Sequence, residues 1–246
     1  MVLLPLLLIV LSFLIIRFFA VSPIQTFRDV SFSNLFLALS ATFLRLIVAY
    51  VFALILSIPL GIFVSYSPKM ERLLLPLVDI VQSIPVLAFF PVIVIFFIKF
   101  GFFDGAAIFI LFLSMIWNIV FTIVGGITII PSDIKLAARA FGIKGFSYVR
   151  RVILPAVAPH IITGSLLAWA QGWNIIIVAE VIHSYIPNGA VSQDLFGIGS
   201  ELVHAVASGR NDIFLGAIIV MILAIAFLNF FVWQKLLKYG EKYKFE

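Results

Sequence analysis

Apolar residues in this chain do not alternate with polar ones. They come in long runs, such as Ile93–Ile98 and Ile213–Phe231. Alternation over about ten residues marks the strands of a membrane barrel. Runs of about 20 residues mark helices that cross a bilayer, where the backbone must satisfy its own hydrogen bonds. The pattern predicts six spans, at about 2–20, 41–65, 74–98, 106–130, 157–183 and 212–234. The expected fold class is therefore all-α, a polytopic helical transmembrane bundle.

Polar interruptions fix the connections. Met1–Phe19 reads as a retained first span rather than a signal peptide, because no small-residue cleavage site follows it. Val21–Ser40, with Pro23, Arg28 and Asp29, reads as an interfacial segment. Residues 1–40 then form a first unit and 41–246 the core. Ser67–Arg72 is a short charged linker, and Phe100–Gly105 a tight turn. Pro131–Arg151 is the longest basic stretch, Ser184–Asn211 a polar loop and Gln234–Glu246 the tail. Eleven of the 16 Lys and Arg residues fall on one side: Lys69, Arg72, Lys135, Arg139, Lys144, Arg150, Arg151, Lys235, Lys238, Lys242 and Lys244. Basic loops stay in the cytoplasm, which predicts both termini on that side of the cell membrane.

Composition agrees with the pattern. At 64% hydrophobic and 11% charged, with a mean hydropathy of +1.26, the chain is far too apolar for a single soluble core of this size. The absence of cysteine excludes disulfides and thiol chemistry. No basic patch is interleaved with aromatics, so nucleic-acid binding is not expected.

One segment is more elaborate than a connector requires. Leu136-Ala137-Ala138-Arg139-Ala140-Phe141-Gly142 runs on to Val152-Ile153-Leu154-Pro155. Propensity predicts a short helix capped by Asp133, a glycine break, and a second short helix ended by Pro155. Such a basic hairpin has a shape that fits a partner's groove. It resembles the loop signature of binding-protein-dependent ABC importer permeases: Glu-Ala-Ala, three residues, Gly, nine residues, then Ile-x-Leu-Pro. Ala137, Ala138, Gly142, Leu154 and Pro155 match that signature, and Leu136 stands where the family has Glu. Arg72–Pro85, Ile58-Pro59-Leu60-Gly61 and Trp173–Glu180 are similar to the nitrate/taurine/sulfonate/bicarbonate branch.

The resemblance implies a mechanism. Two permease copies, expected as a homodimer, form the pathway. Separate ATPase subunits bind beneath them, gripping residues 131–155 as a coupling helix. An extracytoplasmic solute-binding protein delivers the solute. No Gly-x4-Gly-Lys-Ser/Thr phosphate loop occurs in the chain, so it is expected to be non-catalytic, with no cofactor of its own. ATP and Mg would then be used by the ATPase chain.

Candidate residues come from the loop signature and from the polar breaks in the spans. Ala137, Ala138, Arg139, Gly142, Lys144, Leu154 and Pro155 are candidates for ATPase coupling. Arg139, Lys144, Arg150 and Arg151 serve equally as membrane anchors. Asp79, Gln82, Ser83, Pro85, Trp173 and Glu180 are candidates for the pathway. Intramembrane carboxylates are costly and face the bundle interior or water. Asp79 and Gln82, near the cytoplasmic end of the third span, could instead hydrogen-bond between helices. Glu180 could gate or pair with a basic residue. Pro59, Pro85 and Pro91 are expected to break spans. His160, His183 and His204 show no convergent spacing and read as interfacial. A self-sufficient secondary transporter or channel is the alternative function. Such a protein would need coupling-ion sites at mid-membrane and has no use for the hairpin.

Overall fold

A computed structural model describes residues 30–65, 67–186, 189 and 193–243; the expected span at 2–20 lies outside them. Among the described residues the fold is helical, without strands. Four helices among the described residues are long and apolar enough to cross a membrane, or five if one bent pair counts as a single span.

The helix α1 runs from Phe32 to Val64, beginning nine residues before the predicted span. Phe32–Leu39 carries no proline or glycine and supplies apolar side chains, so nothing stops the helix there. The expected boundary at residue 40 falls inside it. Pro59 is accommodated within α1 rather than breaking it. The predicted span 74–98 is instead two helices, α2 (Pro68–Ser83) and α3 (Phe90–Lys99), joined by a 3-10 turn over Val86–Phe89 and bent by 70°. Pro85 has no N–H, and a proline disfavours helical geometry in the residue before it, here Ile84 at ψ 125°. Pro91 sits in the first turn of α3, where a missing N–H costs nothing.

Next come α4 (Phe103–Thr128), the short α5 (Ser132–Ala140) and α6 (Gly145–Tyr148). A π turn over Val149–Ile153 joins α6 to α7 (Leu154–Glu180). Pro155 therefore does not end the second hairpin helix as expected. It lies in the first turn of α7, and the widened π turn absorbs its missing donor, so one continuous helical path runs from Gly145 to Glu180. The helix α8 (Ile198–Ala207) lies in the polar loop. The last span, α9 (Asn211–Leu228), passes through a second π turn at Asn229–Trp233 into α10 (Gln234–Gly240).

The core is built around α4, which packs chiefly on α7 and α1. Leu46 and Ala53 of α1, Ile110, Met115 and Ile123 of α4, and Ile176 of α7 are wholly buried. Polar bonds tie the same helices: Tyr50 Oη lies 2.8 Å from Ser165 Oγ, and Ser57 Oγ donates to the Ile116 carbonyl at 3.1 Å. In lipid, where apolar burial gives helices little reason to associate, close packing and such bonds hold a bundle together. A second cluster of Leu35, Ile198, Leu202, Ala217 and Val220 fastens α8 to α1 and α9.

Candidate coupling loop and translocation path

The α5–α6 hairpin projects from one end of the bundle. Its turn depends on Gly142, which has φ +71°. The Gly142 N–H donates to the Arg139 carbonyl at 3.0 Å and the Ile143 N–H to the Ala138 carbonyl at 2.9 Å. This pair of bonds is a Schellman closure, and it places a left-handed residue after the last helical turn, where glycine alone carries no Cβ penalty. At the N-terminus, Asp133 does not cap α5 as expected. Pro131 occupies the cap position, and Asp133 lies inside the first turn, where its charge faces the positive end of the helix dipole.

The hairpin buries Ala138 and exposes Ala137, Arg139, Gly142 and Lys144. Leu154 and Pro155 are half-buried at the start of α7. Phe141 and Phe146 are 83% and 79% exposed, beside the two positive-φ glycines Gly142 and Gly145. With Leu136 at 59%, they make an apolar cap on an otherwise basic loop.

The break between α2 and α3 gathers the other candidates. Asp79, Gln82, Ser83 and Pro85 are all exposed, and α2 buries none of its residues. Gln82 Nε2 donates to Asp79 Oδ1 at 2.9 Å, and Ser83 Oγ donates to the Asp79 carbonyl at 2.7 Å. These bonds lie within one helix, not between helices as the alternative reading required. The polar turn also sits at the bend of the bent pair rather than at one end of a straight span.

Glu180 lies at the opposite end of the bundle from the hairpin and has no exposed surface. Its Oε1 accepts from Thr42 Oγ1 at 2.6 Å and from Arg45 Nη1 at 2.9 Å. Its Oε2 accepts from the Gly199 N–H at 2.7 Å, at the start of α8. Arg45 also donates to Asp104 at 2.6 Å and to the Phe196 carbonyl at 3.0 Å. One buried carboxylate thus joins α1, α7 and α8, and its guanidinium partner adds α4. Gly197 is required by close approach, because a Cβ there would overlap the Glu180 carboxylate. Trp173 is half-buried and packs against both apolar clusters.

A model of the binding-protein-dependent transport system inner membrane component matches residues 53–237. The chain belongs to this family. It is 33% identical to the nitrate import permease protein NrtB of Leptolyngbya laminosa over 168 residues, 68% of this chain and 59% of that relative. It is 31% identical to the bicarbonate transport system permease protein CmpB of Synechococcus elongatus over 62% of this chain and 54% of that one. The taurine transport system permease protein TauC of Escherichia coli is 28% identical over 64% and 55%. The chain thus spans between half and three-fifths of the length of these relatives. A chain from an inward-facing structure of the MetNI methionine ABC transporter superimposes with a TM-score of 0.70 at 18% identity, covering 84% of this chain and 96% of that one. That likeness is one of fold.

Within this family member the sequence reading missed two groupings. Arg45 and Glu180 are 135 positions apart; Glu180 stood out as a carboxylate in an apolar run that could pair with a basic residue, but nothing in the sequence named Arg45 as that residue. His183 and His204, read as unrelated interfacial residues, converge on Asp194. His183 Nδ1 and His204 Nε2 each lie 2.8 Å from its carboxylate, and the His183 backbone N–H donates to it at 2.9 Å. Burial opposes the Asp194 charge, but the His183 N–H and the two imidazoles outweigh it and hold the carboxyl below its usual range. No sequence spacing reveals this grouping, because His183, Asp194 and His204 lie in turn eleven and ten positions apart and do not share one helical face.

Proposed function

We propose that this chain is the permease subunit of an ATP-driven importer in the cell membrane, with both termini cytoplasmic. It forms the translocation pathway for a small anionic or organic solute and is itself non-catalytic. Its partners are ATPase subunits of another chain that use ATP and Mg, a second permease copy in a homodimer, and an extracytoplasmic solute-binding protein. The relatives named for nitrate, bicarbonate and taurine support the solute class.

The observation that carries the reading is the hairpin closed at Gly142. It presents Phe141 and Phe146 to solvent on a loop whose charge assigns it to the cytoplasm, where no lipid covers them. Aromatic side chains exposed in this way are anchors for a protein groove. Ala137, Ala138, Arg139, Lys144, Leu154 and Pro155 frame them. On the pathway side, Asp79, Gln82, Ser83 and Pro85 are exposed within a candidate span, where a carboxylate cannot face hydrocarbon. They line a water-filled path between two copies. Glu180 and Trp173 act beside it as packing that holds the far end closed.

Replacing Gly142 by Asp tests the coupling. With the partner ATPase present in proteoliposomes, ATP hydrolysis persists while solute uptake falls at least tenfold. Uptake at the wild-type rate contradicts the coupling role.

A further inference from the structure

The last span is longer than a bilayer needs. From Asn211 the helical path continues to Tyr243. At about 1.5 Å per residue, about 20 residues cross the hydrocarbon core, which is reached at Phe230. The same count back from Glu180 along α7 ends at Ile161. Both rulers place α10 and residues 155–161 at the headgroup level of one leaflet.

There α10 and α7 enclose a cleft of about 570 Å³ lined by Pro159, Thr163, Gln234, Lys235, Lys238 and Glu241. The cleft is pre-formed, because Gly240 is buried against Pro159 and Ile162. A neighbouring cavity of about 390 Å³ adds Arg151 and Lys242. Among the described residues none of these four cations has a salt-bridge partner.

Leading to the cleft is a stripe at helical spacing: Leu223, Phe227, Phe231, Lys235, Lys238 and Lys242. The first three are 61%, 59% and 57% exposed. Phe227 and Phe231 pack at 4.8 Å between ring centroids, and Lys235 Nζ lies 5.9 Å above the Phe231 ring. The surface therefore changes from apolar to cationic at the depth where a lipid changes from acyl chain to phosphate.

We propose that this cleft binds an anionic phospholipid, its phosphate held by Lys235 and Lys238 and its acyl chains lying along Leu223, Phe227 and Phe231. Basic pockets between spans at the headgroup level have the charge and depth for such a ligand. Glu241 on the wall opposes an anion, and the surrounding cations outnumber it. The proposal rests on the transport reading only for the identity of the leaflet. Binding can be measured without transport, so its failure and that of the transport reading are distinguishable.

The test is native mass spectrometry of the full chain in mild detergent with equal amounts of phosphatidylglycerol and phosphatidylcholine. Phosphatidylglycerol adducts exceed phosphatidylcholine adducts at least threefold in the wild type. The preference disappears in K235Q/K238Q, and it survives in K235R/K238R and in K99Q at the other end of the bundle. Excess glycerol phosphate does not displace the lipid. Equal adducts in the wild type, or a preference that survives K235Q/K238Q, overturns the proposal. Displacement by glycerol phosphate overturns the lipid assignment in favour of a free-phosphate site.

Discussion

Glu180 is sealed from solvent and accepts three hydrogen bonds, from Thr42, Arg45 and Gly199. A buried charge with this many partners fixes geometry more than it adds stability, because desolvation offsets most of the attraction. Removing one partner of such a pair is costly, at about 3–5 kcal/mol. Glu180→Gln leaves Asp104 as the one carboxylate against Arg45 and weakens the tie to the start of α8. Its expected effect is a clear fall in the melting temperature of the detergent-solubilised chain, with protease cleavage of the α8 loop at lower temperature. An unchanged melting temperature would show that the network is not structural. The sequence marked Glu180 as a candidate because a carboxylate in an apolar run is conspicuous. Arg45 is equally intramembrane, but the positive-inside rule counts a cation without saying what it faces.

At the scale of elements, local chemistry was readable wherever backbone geometry decides. Gly142 and its spacing from Leu154-Pro155 announced the hairpin, and the Schellman bonds realise it. Where a residue's effect depends on its neighbours farther along the chain, the local rule misled. Pro155 stops a helix in isolation, yet here it begins the next one after a π turn. Of Pro59, Pro85 and Pro91, only Pro85 breaks a span, because it alone lacks both a first-turn position and enough helix on either side to absorb it. The exposed turn beside Pro85 gives a direct prediction. The chain has no cysteine, so each introduced cysteine is a clean probe. In membranes, Ser83→Cys reacts with a hydrophilic thiol reagent and Leu77→Cys on the apolar face of α2 does not. The reverse pattern would remove the polar turn from the pathway.

At the scale of the whole molecule, hydropathy located every span among the described residues, because the bilayer imposes length and polarity together. It could not show that one span is bent by 70° or that the helical paths Phe32–Val64, Gly145–Glu180 and Asn211–Tyr243 run to 33, 36 and 33 residues, longer than the roughly 20 a bilayer needs. It also could not show that α4 is the central helix, since every run is apolar and burial differs only through packing. The helix α2 buries nothing within one chain, and the aromatic cap of the hairpin faces solvent. Neither surface is covered within one chain, as the proposed subunit of a larger assembly requires.

Co-purification shows whether the chain works as one subunit of such an assembly. The tagged chain is extracted from its native membrane in mild detergent, and the bound proteins are identified by mass spectrometry. A P-loop ATPase is expected in a one-to-one ratio with the chain, lost when Phe141 and Phe146 are both replaced by Ser. A chain that purifies without any ATPase, and still moves solute in vesicles without ATP, would contradict it and make the protein a self-sufficient transporter.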